Sequence, residues 1–202
     1  MATYEWKTRR WSRKEYDRLI ALGFFQPEDP IELIGGELMV AEPQGAPHYT
    51  AIRKTARGLE RAFGPSWDVR TQGPIGLDDE SEPEPDVAVV RGALEDYGSE
   101  HPSRAALIVE VSESSLAFDR RHKGSVYARA GIADYWIVNL VDGVLEVYRG
   151  PAPDAAAPFG ASYSRREVLE PSREVSPLAA PGARVQVSGL MAARALGDHD
   201  PG

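Results

Sequence analysis

Two stretches of this chain are apolar almost without a break, Asp86–Val90 and Ala106–Ser112. Both are of strand length, and a strand without polar alternation is one covered on both of its faces. Such strands belong to a sheet flanked by helices. Each run also carries one acid: Asp86 follows Pro85 at the head of the first, and Glu110 lies between Val109 and Val111 in the second. A carboxylate in an apolar strand costs several kcal/mol unless it finds a partner. Two in succession, with Lys123 a little further on, read as a metal site.

The rest of the chain supplies the flanking layers. Ser12 with Glu15 three residues later fits a capping box, and Tyr16, Leu19 and Ile20 keep helical spacing up to Gly23. Ile31–Ile34, Gly35-Gly36 and Glu37–Val40 predict a tight β-hairpin. Pro47 suits a first helical turn, and Ile52, Ala56, Leu59 and Phe63 form a core stripe that ends at Gly64. From Trp67 through Val69 to Leu77 the chain is expected to be extended, and Asp78–Glu84 is an acidic turn. Asp119 is placed to cap a helix running to Ala130, with Gly131 as its stop. Tyr135–Leu140 and Val144–Tyr148 pair across an Asp142-Gly143 turn, and Gly150–Gly160 reads as a loop. Weaker extended runs follow at Tyr163–Leu169 and Arg184–Val187. One domain over residues 1–190 is expected, with 191–202 as a flexible tail.

Composition narrows the function classes. The chain has 202 residues, 42% hydrophobic and 27% charged, with no cysteine, which excludes disulfides, thiolate metal sites and a cysteine nucleophile. No apolar run approaches the roughly 18–20 residues that span a membrane. The first residues lack the apolar stretch of a signal peptide, so a cytoplasmic protein without membrane association is expected. A net charge of −8 argues mildly against a nonspecific nucleic-acid binder. A local basic face or a bound divalent cation would offset it.

Side chains alternate along Ala106–Ser112, so Ile108, Glu110 and Ser112 share one face. On the following helix Lys123, Val126, Tyr127 and Ala130 recur at helical spacing, which turns Lys123 toward the sheet and allows its ammonium to reach Glu110. Carboxylates on neighbouring strands can hold Mg²⁺ through oxygen, and a nearby lysine can orient a metal-bound water and stabilise developing negative charge. That combination suits hydrolysis of a phosphodiester.

The ordered segments from Ile31 to Leu38, Pro43 to His48, Glu84 to Val90, Leu107 through Asp119, Lys123 and Tyr127 to Asn139, and Val144 to Arg149 resemble the Uma-two family of restriction-endonuclease-like proteins. That family lies within the PD-(D/E)xK nuclease superfamily, and the likeness covers about two thirds of the chain. The resemblance implies an α/β restriction-endonuclease-like fold: a mixed central β-sheet flanked by helices, with an N-terminal helix and β-hairpin. It implies a Mg²⁺-dependent endodeoxyribonuclease, with Mn²⁺ as a possible substitute and DNA as substrate. By position Asp86 is the first acid and metal ligand, and Glu110 the second. The lysine expected two residues after Glu110 is replaced by Ser112, and its role passes to Lys123. Glu32 completes the ligand or base set, and Glu37 and His48 match further polar positions of the family. Gly35-Gly36-Glu37-Leu38 departs from the family's usual Asp-Gly-Glu-Leu without touching the metal ligands.

Plainer readings stand beside these. Asp86 fits a strand start satisfied by backbone amides, Glu110 and Lys123 a structural ion pair, and His48 a hydrogen-bonding group at a helix start. Lys123 would also fit as a side chain reaching past the sheet edge to solvent. Glu32 and Glu37 fit solvated hairpin charges. Arg53, Arg57 and Arg61 form a stripe typical of a solvated helix face, while Arg120 and Arg121 are better placed to meet a phosphate. The rival functions are a noncatalytic binding or assembly module that keeps the fold, and a hydrolase of small phosphate esters. The strands after Gly150 would also allow a homodimer.

Overall fold

Alternation along the two apolar runs sorts the core into two layers. In a computed structural model, which describes residues 7–26, 29–41 and 44–191, Val87, Val89, Leu107, Val109 and Val111 face one cluster and Ala88, Val90 and Ile108 the other. The predicted tail from 192 onward lies outside the described residues. Among the described residues no helix is long and apolar enough to cross a membrane.

The elements run α1 (Arg13–Ala21), β1 (Ile31–Ile34), β2 (Glu37–Val40), α2 (Ala46–Phe63), β3 (Trp67–Thr71), β4 (Val87–Arg91), β5 (Leu107–Ser112), α3 (Leu116–Phe118), a π-turn (Asp119–Lys123), α4 (Gly124–Arg129), β6 (Asp134–Asn139), β7 (Val144–Pro153), β8 (Ala161–Leu169), β9 (Glu174–Val175) and β10 (Val185–Gln186). The central sheet has six strands in the order β3-β4-β5-β6-β7-β8. All neighbours are antiparallel except β5 and β6, which pair in parallel, Glu110 beside Ile137. A parallel pair needs a crossover. The α3–α4 segment makes it, and that crossover carries Lys123.

Helix α2 covers one face with Ile52, Ala56, Leu59 and Phe63, the predicted stripe, joined by Val185, Val187 and Leu190. The α4 side covers the other with Val126 and Tyr127 against Ile108, Tyr135 and Ile137. Trp136 is fully buried and donates its indole N–H to Asp134 at 2.8 Å, so removing its side chain would cost about 3–5 kcal/mol. Ser12 and Glu15 form the predicted capping box. The hairpin turns on Gly35 (φ 58) and Gly36 (φ 80), both in the left-handed region that a two-residue turn of this hand requires. The Gly36 N–H donates to Glu80 O and the Glu82 N–H to Leu33 O, which ties the hairpin to the segment leading into Asp86.

Two expectations are corrected. Asp119 does not cap a helix: the helical segment begins at Leu116, and the Asp119 carboxylate is turned inward by the hydroxyls of Ser112 and Ser115. Gly150–Gly160 is not all loop, because β7 continues to Pro153 and pairs Pro151, Ala152 and Pro153 with Tyr163, Ser162 and Ala161. β6 stops pairing at Arg149, so beyond it β7 has a ladder on one side alone, where proline is tolerated.

One buried acid braces this architecture. Glu146 on β7 is fully buried and accepts hydrogen bonds from Arg120, Arg166, Tyr148 and Asn139. Burial opposes its charge, but these donors outweigh burial and hold its carboxyl at about 2 instead of the ordinary 4.5. A depressed pKa stabilises the fold fully above the unfolded value and loses that contribution as pH falls from about 4.5 toward 2. Glu146→Gln is therefore expected to be less stable than the parent at pH 7, by about 3 kcal/mol. Urea unfolding should show the gap narrowing between pH 4.5 and 3; a gap independent of pH would contradict the assignment.

Candidate active site

The antiparallel pairing of β4 and β5 sets Val87 beside Val109, so Asp86, one residue before β4, comes to the end of the sheet at which Glu110 and Val111 lie. The Asp86 carboxylate (Oδ2) accepts the Val111 N–H at 2.8 Å, and the Asp86 N–H donates to Glu110 Oε2 at 3.4 Å. Each acid is thus held by the other's strand. Both are buried.

The π-turn delivers the cation. An extra residue per turn is rare inside helices and is frequently found at functional sites. Here the Asp119 carbonyl accepts the N–H of Gly124 and, at 3.1 Å, the hydroxyl of Tyr135. The widened turn leaves both Asp119 and Lys123 buried. Lys123 Nζ lies 3.1 Å from Glu110 Oε1 and 3.2 Å from Glu32 Oε1. Tyr127, one helical turn on, donates its hydroxyl to the same Glu110 oxygen at 2.6 Å. Glu32 arrives from β1, and its second oxygen accepts the Glu84 N–H at 3.2 Å. From the opposite layer His48, in the first turn of α2, brings Nε2 to 3.4 Å from Asp86.

Glu32, His48, Asp86, Glu110, Asp119 and Lys123 line a cavity of about 370 Å³. Its wall holds six acids, Glu32, Glu84, Asp86, Glu110, Glu113 and Asp119, and among the described residues one lysine, Lys123. Burial pulls the Lys123 pKa down, but Glu110, Glu32, Asp119 and Asp86 outweigh it and hold the ammonium protonated well above its ordinary range. The acids lack an equal supply of cations. Burial pushes Glu110 well up, with Asp86, Asp119 and Glu32 adding to the rise and Lys123 opposing it. Burial likewise raises Glu84 to about 7, reinforced by Glu32 and Glu82. Asp119 is raised by burial against the pull of Lys123 and its two serine donors.

Of the residues singled out in the sequence, Asp86, Glu110, Lys123, Glu32 and His48 converge. Ser112 is buried and supports the site from behind, donating to Asp119 at 2.7 Å. Glu37 is exposed on the hairpin, Arg121 is exposed on the π-turn, and neither lines the cavity. Arg120 is committed to Glu146 and Asp142. Sequence reasoning missed Glu84, Asp119 and Gln72 as members of the wall. Glu84 stands two residues before Asp86 and Asp119 four before Lys123, spacings that put them beside residues already marked.

Among the described residues no three His, Cys, Asp or Glu side chains converge as a metal cage. Mg²⁺ needs no such cage, because it keeps several waters and takes one or two carboxylates together with substrate phosphate. The hard oxygen donors of this wall, six carboxyl groups beside one lysine among the described residues, fit such an ion, whose charge would favour their ionised forms.

No curated protein matches the chain. Among solved structures, a crystal structure described as "a putative nuclease belonging to DUF820 from Anabaena variabilis ATCC 29413" is similar with a TM-score of 0.62 at 16% identity, over 84% of this chain and 94% of that one. At that identity the likeness establishes the shared fold. The family model Uma2, described as "Putative restriction endonuclease", matches residues 13–188, from the first turn of α1 past β10. The chain belongs to the Uma2 family.

Proposed function

We propose that this pocket hydrolyses phosphodiester bonds in nucleic acid, with DNA as the substrate and a divalent cation, Mg²⁺ or Mn²⁺, as cofactor. The observation that carries the reading is the protonated Lys123 bridging Glu110 and Glu32 beside Asp86 in a wall where six carboxyl groups face one lysine among the described residues. A structural ion pair needs one acid for one lysine. Here several acids surround a single ammonium, an arrangement that favours binding a further cation.

Asp86 and Glu110 would hold that cation, with Glu32 beside them. Bound there, it would polarise a phosphate and lower the pKa of a coordinated water. Lys123, already protonated, cannot accept a proton. Its part is to donate hydrogen bonds to the attacking water or to a phosphate oxygen, and to offset the negative charge that grows there. Tyr127 fixes the orientation of Glu110, and the Val111 amide fixes that of Asp86. His48, beside Asp86 at the cavity wall, would donate to a substrate oxygen or hold Asp86 in place. The family likeness supports nucleic acid as the substrate class, and the homodimer and the cytoplasmic location remain part of this proposal.

Two outcomes test it. Plasmid DNA incubated with the full chain and Mg²⁺ or Mn²⁺ should be cut, and Asp86→Ala should cut at least about a hundredfold more slowly, the scale of losing one group that stabilises transition-state charge. Intact DNA with the parent chain, or equal cutting by Asp86→Ala, would overturn the reading and leave a noncatalytic module. Mn²⁺ should also raise the unfolding free energy, by about 2.7 kcal/mol at a hundredfold excess over Kd. Thermal unfolding with and without Mn²⁺ should lose that gain in both Asp86→Ala and Glu110→Gln.

A companion prediction concerns Lys123. Lys123→Met removes the one ammonium between Glu110 and Glu32, which leaves buried charge unpaired at a cost of about 3–5 kcal/mol. Denaturant unfolding should register that loss without added metal, and Mn²⁺ should restore part of it by supplying a substitute cation. A variant as stable as the parent would mean that Lys123 is not the counter-charge of this pocket.

A further inference from the structure

We propose that the apolar side of the pocket seats an unpaired nucleobase next to the carboxylate–lysine centre, with the Gln72 carboxamide hydrogen-bonding the edge of that base. The inference rests on the phosphodiesterase reading above and names the form of nucleic acid the site takes: a single strand, or a base extruded from a duplex.

Three observations meet here. The first is chemical asymmetry. Besides the acids, the cavity is lined by Ile34, Met39 and Val40 of the hairpin and by Phe118 of α3. Val40 is 71% exposed, and the Phe118 ring stacks on His122 with centroids 5.0 Å apart and planes 17° apart. An apolar shelf does nothing for a phosphate. It suits the flat face of a base, and a duplex keeps those faces inside its own stack.

The second is charge. Binding to a duplex draws its strength from cations that neutralise phosphates. Among the described residues the pocket wall offers Lys123 alone, already shared between Glu32 and Glu110, in a chain of net charge −8. With so few protein cations on the wall, a divalent ion would meet one phosphate and contacts to the base would add to the affinity.

The third is Gln72. It is the one non-glycine among the described residues with a left-handed backbone, φ 50, and it lies on the pocket wall. Its N–H donates to Asp86 O at 3.2 Å, which joins it to the strand end that carries Asp86. The side chain is exposed and makes no hydrogen bond among the described residues. Glycine would occupy this backbone conformation without strain. A strained, exposed glutamine with a free donor and acceptor, directly after β3 and on the pocket wall, is suited to a contact made when substrate is bound.

The test is fluorescence anisotropy with the full chain in Ca²⁺ buffer. It compares a labelled single strand of about 12 nucleotides, a duplex of the same sequence, and a strand of the same length built from abasic units. The single strand should bind about tenfold more tightly than either of the others. Gln72→Gly should weaken single-strand binding severalfold while its Tm stays level or rises, and Gln72→Asn, which keeps the carboxamide and tolerates the left-handed backbone, should retain more of the affinity. A purely structural Gln72 would move Tm and leave the preference for the single strand unchanged. Duplex or abasic binding as tight as single-strand binding, or an unaltered Gln72→Gly, overturns the inference. Cleavage dependent on Asp86 is scored separately, so a site that cuts DNA without this preference refutes the base pocket alone, and a chain that cuts nothing refutes the nuclease reading.

Discussion

The ammonium of Lys123 is the positive charge around which this end of the molecule is organised. It lies within 3.2 Å of acids from two different elements, Glu110 on β5 and Glu32 on β1, and so ties the hairpin to the central sheet through a buried contact. Removing charge from water is expensive, and the pair is tolerable because each partner has further hydrogen bonds: Tyr127 to Glu110, and the Glu84 amide to Glu32. The π-turn exists in the same economy of contacts. Its freed carbonyl, on Asp119, is satisfied by Gly124 and Tyr135, and the carboxylate of the same residue by two serines.

The structure holds two acid clusters on the same side of the sheet, and their contrast shows what a poised site is. Glu146 has two arginines, a tyrosine and an asparagine directed at it, and its carboxyl is held down at about 2. That is a satisfied brace. Glu110, Glu84 and Asp119 are all pushed the other way, first by burial and then by one another or by neighbouring acids. Similar residue types, placed in one layer a few strands apart, thus produce a finished ion pair in one place and an electrostatic deficit in the other. The deficit faces a cavity.

Much of the fold was legible because it follows from local patterns. The capping box at Ser12, the glycine-paired hairpin, the α2 stripe and the two doubly covered strands each depend on residues close in the chain. Asp119 was misread for the same reason: an acid ahead of a helical stripe resembles a cap, and only the serine hydroxyls folded against it show otherwise. The prolines after Gly150 suggested a loop because the sequence does not reveal where β6 stops pairing. Arg120 looked available for a phosphate until β7 placed Glu146 in front of it.

The sequence by itself determined the family and the identities of the central residues. Acids in apolar strands and a lysine on an inward helical stripe are rare enough, in that order, to mark a site without any coordinates. What the tertiary structure alone decided is the company those residues keep. Glu32 is 91 residues from Lys123 and reaches it through the docking of the hairpin, while Glu84, Gln72 and Asp119 become members of the wall only once β4, β5 and the crossover share one end of the sheet. Spacing within a strand or helix is set by backbone geometry and can be read from the chain. The electrostatic balance of a pocket depends on which distant charges are brought together and how much water they lose, and those quantities arise only when the layers close.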